Sequence, residues 1–170
     1  HEEPISLDTR TGIRTLTLLG PLPMRPGKHV LGLTRGTATV RFETRMAAYV
    51  DPTGQWECAS PHITVSYGFS PMTVYVAREF PEGSCAYREI YQHEMRHVRA
   101  YQTHLKHIEQ RLADTLNERF ASASPWRGPR GQASARLQQE LEARWAPYVK
   151  REINKVDAAQ ALIDTPEEYA

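Results

Sequence analysis

Cysteine is scarce in this 170-residue sequence: there are two, Cys58 and Cys85, and neither stands in a C-x-x-C pair. That excludes the dithiol motif of redox enzymes and the cysteine-rich frameworks of structural zinc modules. One disulfide is the economical reading of two cysteines flanking an expected hairpin. It would place the chain in an oxidising compartment such as a periplasm or the outside of the cell. An excess of charge of one sign is also missing. Lys and Arg number 21 against 20 Asp and Glu, for a net charge of +1, and the two signs are interspersed. No long-range field therefore recruits nucleic acid or an anionic membrane. Long apolar runs are absent too. None approaches the roughly 18 to 20 residues that span a bilayer, and the opening HEEPISLDTR lacks the charged-then-apolar layout of a signal peptide. What remains is a soluble chain of a length that fits one domain with its own core.

Within that length the pattern changes once. From about residue 11 to 80, β-branched and aromatic residues cluster in short runs at 13–19, 28–33, 38–50, 55–60, 63–69 and 72–77. Turn formers separate them, among them Gly20-Pro21-Leu22-Pro23, Asp51-Pro52-Thr53-Gly54 and Phe69-Ser70-Pro71. This half is expected to be an antiparallel sheet of short strands. After Pro81-Glu82-Gly83, the residues Ile90, Glu94, His97, Tyr101, Leu105, Ile108, Leu112, Leu116 and Phe120 recur at three- and four-residue steps. Those steps mark one face of a helix of about 35 residues. A breaker-rich segment, 122–131, ends it. A second stripe from Leu137 to Ile163 follows, with Pro147 expected to bend that helix. The expected fold class is α+β, a sheet (11–80) followed by a long two-helix hairpin (84–163).

The long helix carries His93-Glu94-Met95-Arg96-His97, the pattern H-E-x-x-H. Residues four apart on a helix project from one face about 6 Å from each other, so both imidazoles can reach one cation at about 2 Å. Glu94 lies on the neighbouring row, within reach of a water on that cation. A divalent ion there acidifies its water and polarises a carbonyl while the glutamate carries the proton. The competing reading is an ordinary helix with two solvated or hydrogen-bonded histidines. Placement argues against it, because Glu94 and His97 lie in or beside the apolar stripe, and burying such groups unpaired costs several kcal/mol.

A catalytic zinc site usually has three protein ligands and keeps its fourth position for water. His104 shares the helix face but lies about 10 Å along the axis from His97, too far to share the ion. His107, Glu109 and Glu118 lie farther still. The third ligand is therefore expected from the returning chain, in a window from about 157 to 168 that holds Asp157, Asp164, Glu167 and Glu168. Glu168 is favoured and Asp164 comes next. Thr165-Pro166-Glu167-Glu168 also reads as a helix start with Thr165 as N-cap and Glu168 closing a capping box, which would hold a carboxylate rigidly. Tyr91, Tyr101 and Tyr169 could donate to a developing oxyanion. Arg96 and Arg99 are most simply solvated, and the run 72–77 could offer an open edge to an extended substrate.

Gly32-Leu33-Thr34-Arg35-Gly36, Trp56-Glu57-Cys58, Cys85 just ahead of the motif, H-E-x-x-H and the helical hairpin occur in this order. In this the chain resembles a bacterial family of unknown function described as predicted secreted zinc-dependent proteases. The resemblance implies a zincin-like fold, bound zinc, export, and a peptide or protein substrate. Its members often close on a Tyr-Asp-x-x-Thr-x-His-Gly type of segment. Here that place reads Ile163-Asp164-Thr165-Pro166-Glu167-Glu168-Tyr169, without the histidine. Two other classes stay in view: a non-catalytic, metal-stabilised binding module, and a zinc amidase acting on cell-wall peptides.

Overall fold

The computed structural model describes residues 4–20, 27–121 and 125–164. Its order is β1 (Ile5–Asp8), α1 (Ile13–Leu19), β2 (Gly32–Val50), β3 (Trp56–Val76), α2 (Cys85–Phe120), β4 (Trp126–Pro129), α3 (Gln132–Glu140), a π-helical turn (Leu141–Trp145), α4 (Ala146–Asn154) and α5 (Val156–Ile163). The class is α+β. The four strands form one sheet in the order β1-β3-β2, with β4 also paired to β3. β1 runs parallel to β3 with Ile5 opposite Met72, whereas β4 runs antiparallel to it with Trp56 opposite Pro129. The sheet is thus mixed, where all-antiparallel pairing is expected from sequence. Among the described residues no helix is long and apolar enough to cross a membrane.

The strands are fewer and longer than the turn signals suggest. Asp51-Pro52-Thr53-Gly54 does turn the chain: the Asp51 carboxylate accepts the backbone N–H groups of Gln55 and Trp56, each at 3.0 Å. Phe69-Ser70-Pro71 does not, and β3 continues through it for 21 residues. Residues 72–75 are interior, with β1 on one side and β2 on the other, so they offer no open edge. The segment 13–19, expected as a strand, is the helix α1. Its alternating β-branched residues are overridden locally, in that the Glu79 carboxylate accepts the Ile13 N–H and Thr17 Oγ1 donates back to Ile13 O. Leu16 alone is then buried.

The described chain gathers into two compact units, both drawing on β2, β3 and α2. The first joins Phe69–His104 to the chain before Ala38 and after Lys155; the second holds Ala38–Gly68 and Leu105–Lys155. In the first, Met72, Val74 and Val76 are buried at every second position of β3, as a half-buried strand requires. Ser84 Oγ accepts the Tyr87 N–H and caps the start of α2. In the second, Leu137, Leu141 and Trp145 form a core against Phe42, Met46, Ile63, Leu116, Phe120, Trp126 and Tyr148. The buried Glu152 meets Lys155 at 2.6 Å and Arg111 at 3.5 Å.

The expected second long helix is a correction. From Gln132 to Ile163 the chain forms three short helices and a π turn. Pro147 has no N–H for the carbonyl one turn back, and the widened Leu141–Trp145 turn just before it absorbs the mismatch. The expected Cys58–Cys85 disulfide is corrected as well. Both cysteines are free, and the hairpin they were expected to flank does not exist because 56–76 is one strand. The inference of an oxidising compartment loses that support. Leu137 is 2% exposed at the centre of its cluster. Leu137→Ala should therefore cost about 2 to 5 kcal/mol of unfolding free energy, read by denaturant titration.

Candidate metal centre

α2 presents His93, Glu94 and His97 inward, exposed by 8%, 4% and 7%. The same face carries Val98 at full burial, so the apolar stripe that makes this helix bury one side is what takes the motif out of water. Asp164, the residue directly after α5, supplies what meets it. His93 Nε2 lies 3.2 Å and His97 Nε2 3.0 Å from one oxygen, Oδ1 of Asp164. The imidazole rings stand 5.1 Å apart, inclined at 73°. Ligand atoms of His93, His97 and Asp164 all lie within 4.8 Å of one another, the only such His/Cys/Asp/Glu group among the described residues.

The far nitrogens of the two rings have opposite partners. His97 Nδ1 donates to Gln160 Oε1, and Gln160 Nε2 donates to His97 O at 3.2 Å, so one amide grips both the ring and the backbone. Arg96 Nη2 donates to His93 Nδ1 at 2.9 Å. A guanidinium has no acceptor, so His93 Nδ1 carries no proton and the ring is neutral with its hydrogen on Nε2. His97, donating from both nitrogens, is the imidazolium of the pair. The titration tendencies agree. Burial opposes charge on His97, but its bonds to Asp164 and Gln160 and the Asp164 charge outweigh this and raise its pKa. Burial also opposes charge on His93; there the Asp164 bond is insufficient against the neighbouring His97 and Arg96 charges, and the pKa falls. Asp164 resists burial through the same histidine bonds and stays below the ordinary carboxylate value.

Burial dominates Glu94 and raises its pKa to about 7, partly opposed by Thr34, whose hydroxyl donates to Oε2 at 2.7 Å. Tyr101 packs edge-on to Phe69 at 4.5 Å and is raised by burial first, then by Asp157, Glu94 and Asp164. Tyr91 stacks on Tyr87 instead, at 6.1 Å. A shallow depression lined by Tyr91, Gln92, His93, Met95, Arg96 and Arg99 flanks the site.

Of the residues expected from sequence, His93, His97 and Glu94 lie where the motif requires. The third group brought to them is Asp164, the second choice. Glu168, with Glu167, Tyr169 and the helix start at Thr165, lies outside the described residues. His104 and His107 stay out of the group, as their distance along α2 demands. Arg96 is a correction: it is bonded to His93, not simply solvated. Gln160 and Thr34 are not found from sequence. Gln160 had one signal, its place four residues before Asp164. No protein-family model, curated protein or solved structure matches this chain.

Two imidazole nitrogens and a carboxylate suit zinc or a similar divalent ion. His97 fits such a ligand role once its Nε2 proton is given up, since Gln160 holds the other proton on Nδ1 and directs Nε2 inward. His93 fits after one rearrangement, in which its proton moves to Nδ1 and Arg96 turns away. Gln160→Leu should weaken zinc binding by about tenfold or more in a competition titration with a chelator. A second expectation concerns pH. Glu94 binds its proton more tightly folded than unfolded, where the ordinary value is 4.5, so the folded state holds more protons between that value and about 7. Its contribution to metal-free stability is complete below the unfolded value and is lost as pH rises through this window, on the order of 3 kcal/mol. Glu94→Gln should flatten that part of the stability profile measured by denaturation at a series of pH values.

Proposed function

We propose that this protein is a zinc-dependent peptidase, or a hydrolase of a closely related amide, with a zincin-like arrangement of its helix and sheet. The reading rests on one observation: two histidines one helical turn apart and a carboxylate from the residue that follows α5 converge on a single point, with a buried glutamate beside them. His93, His97 and Asp164 are the ligands in this reading. A zinc ion held by three such groups supplies Lewis acidity and lowers the pKa of a water in its open position.

The chain's own residues do the rest. Glu94 takes the proton from the attacking water and returns it to the leaving amine. Gln160 holds His97 in register by bonding its ring and its carbonyl. Asp164, at 49% side-chain exposure, lies on the open side of the group, where a substrate carbonyl can approach. The order of Gly32–Gly36, Cys85 and H-E-x-x-H, similar to that of the predicted secreted zinc-dependent proteases, points the same way.

Metal analysis with a peptide-library assay tests this. The wild type should hold one zinc per chain and cleave peptides; His97→Ala and Asp164→Ala should lose the metal. Glu94→Gln should keep it and lose turnover by about 10²- to 10⁴-fold. Stoichiometric zinc in a wild type that cleaves nothing and behaves as Glu94→Gln does would sink the hydrolase reading.

A further inference from the structure

The stretch Gly32-Leu33-Thr34-Arg35-Gly36 has no part in the ligand set, yet one face of it lies against the glutamate. Residues two apart in a strand point to the same side, so Gly32 and Thr34 share a face of β2. Thr34 Oγ1 lies 2.7 Å from Oε2 of Glu94 and 3.2 Å from its backbone carbonyl, and the shorter contact takes the hydroxyl proton. A Cβ on Gly32 would come within 2.8 Å of Glu94 Oε1, 2.9 Å of its Cγ and 2.6 Å of Ile90 Cγ2. Each is closer than a real Cβ approaches, so only glycine leaves the strand this near to α2. The carboxylate is bracketed by two residues of one strand: a hydroxyl holds one oxygen, and the missing side chain makes room for the other. All four residues belong to the same compact unit.

That bracket matters because the last torsion of a glutamate is broad and selects no single carboxylate orientation by itself. We infer that Thr34 is a positioning residue for Glu94, with Gly32 supplying the clearance: the threonine hydroxyl commits one carboxylate oxygen and fixes the rotation of the group, leaving the other oxygen for proton transfer. This rests on the hydrolase reading above. It gives the 32–36 stretch a chemical reason beyond strand formation, since a valine in place of Thr34 would fill the same space and hold nothing.

The test has one arm without metal and one with it. In metal-free protein at alkaline pH, the infrared difference between wild type and Glu94→Gln isolates the Glu94 carboxylate band. Thr34→Val should shift that band and Thr34→Ser should leave it in place. In zinc-loaded protein, Thr34→Val and Gly32→Ala should each lower kcat by about ten- to a hundredfold, with KM within about twofold and zinc content unchanged, and Thr34→Ser should recover most of the loss. Thr34→Ala replaces the valine variant if that one does not fold. A band unmoved by Thr34→Val overturns the inference, as does a shifted band with unchanged kcat, which makes the bond merely structural. Turnover lost in Glu94→Gln but kept in Thr34→Val and Gly32→Ala sinks this inference and spares the hydrolase reading. A wild type without turnover sinks both.

Discussion

A single carboxylate oxygen, Oδ1 of Asp164, faces the Nε2 atoms of both His93 and His97, and the chemistry of the buried face of α2 depends on that convergence. Without Asp164 the two rings would sit at under a tenth exposure with no acidic partner between them, a costly arrangement for one neutral and one charged imidazole. With it, the metal-free protein holds a compact chain of Arg96, His93, Asp164, His97 and Gln160 in which both nitrogens of each ring are bonded. A divalent ion held here would displace the proton on His97 Nε2 and send that of His93 to Nδ1, since the two Nε2 hydrogens occupy the positions from which a ligand lone pair must point.

The same arrangement explains why Glu94 and the histidines, adjacent in sequence, titrate so differently. The histidines share an anion and each has a second partner, so hydrogen bonding sets their charge states. Glu94 has one hydroxyl partner, and its burial, which the Asp164 charge reinforces, outweighs that bond and the nearby His97 charge, so burial governs it. One helical turn therefore holds an imidazole pushed toward its neutral form, one pushed toward its charged form, and a carboxyl group near its midpoint at neutral pH.

Most of this is legible in the residues where local rules suffice. The stripe from Ile90 to Phe120 places the helix, and its phase puts the motif inward; the structure has α2 as 36 residues. The acidic window opposite the motif, 157 to 168, contains Asp164. Bringing Asp164 to the histidines is the work of the chain's packing around α5, which no local signal in the sequence carries; Glu168 lies outside the described residues. Thr34 and Gln160 escape for the same reason, as each acts on a residue at least 60 positions away. Local signals also misled. The alternation in 13–19 is strand-like, yet Glu79 caps it as a helix, and the proline at 71 sits inside a strand without ending it.

The compact unit that carries the metal centre is assembled from the chain before Ala38, from Phe69–His104 and from the segment after Lys155. During synthesis, the ribosome releases the motif helix long before α5 emerges, so a nascent chain exposes both imidazoles and the glutamate without their acidic counterpart. The three-cornered group is therefore incomplete until Asp164 has followed, 67 residues after His97. A prematurely terminated product retains the H-E-x-x-H letters and none of the centre's third corner.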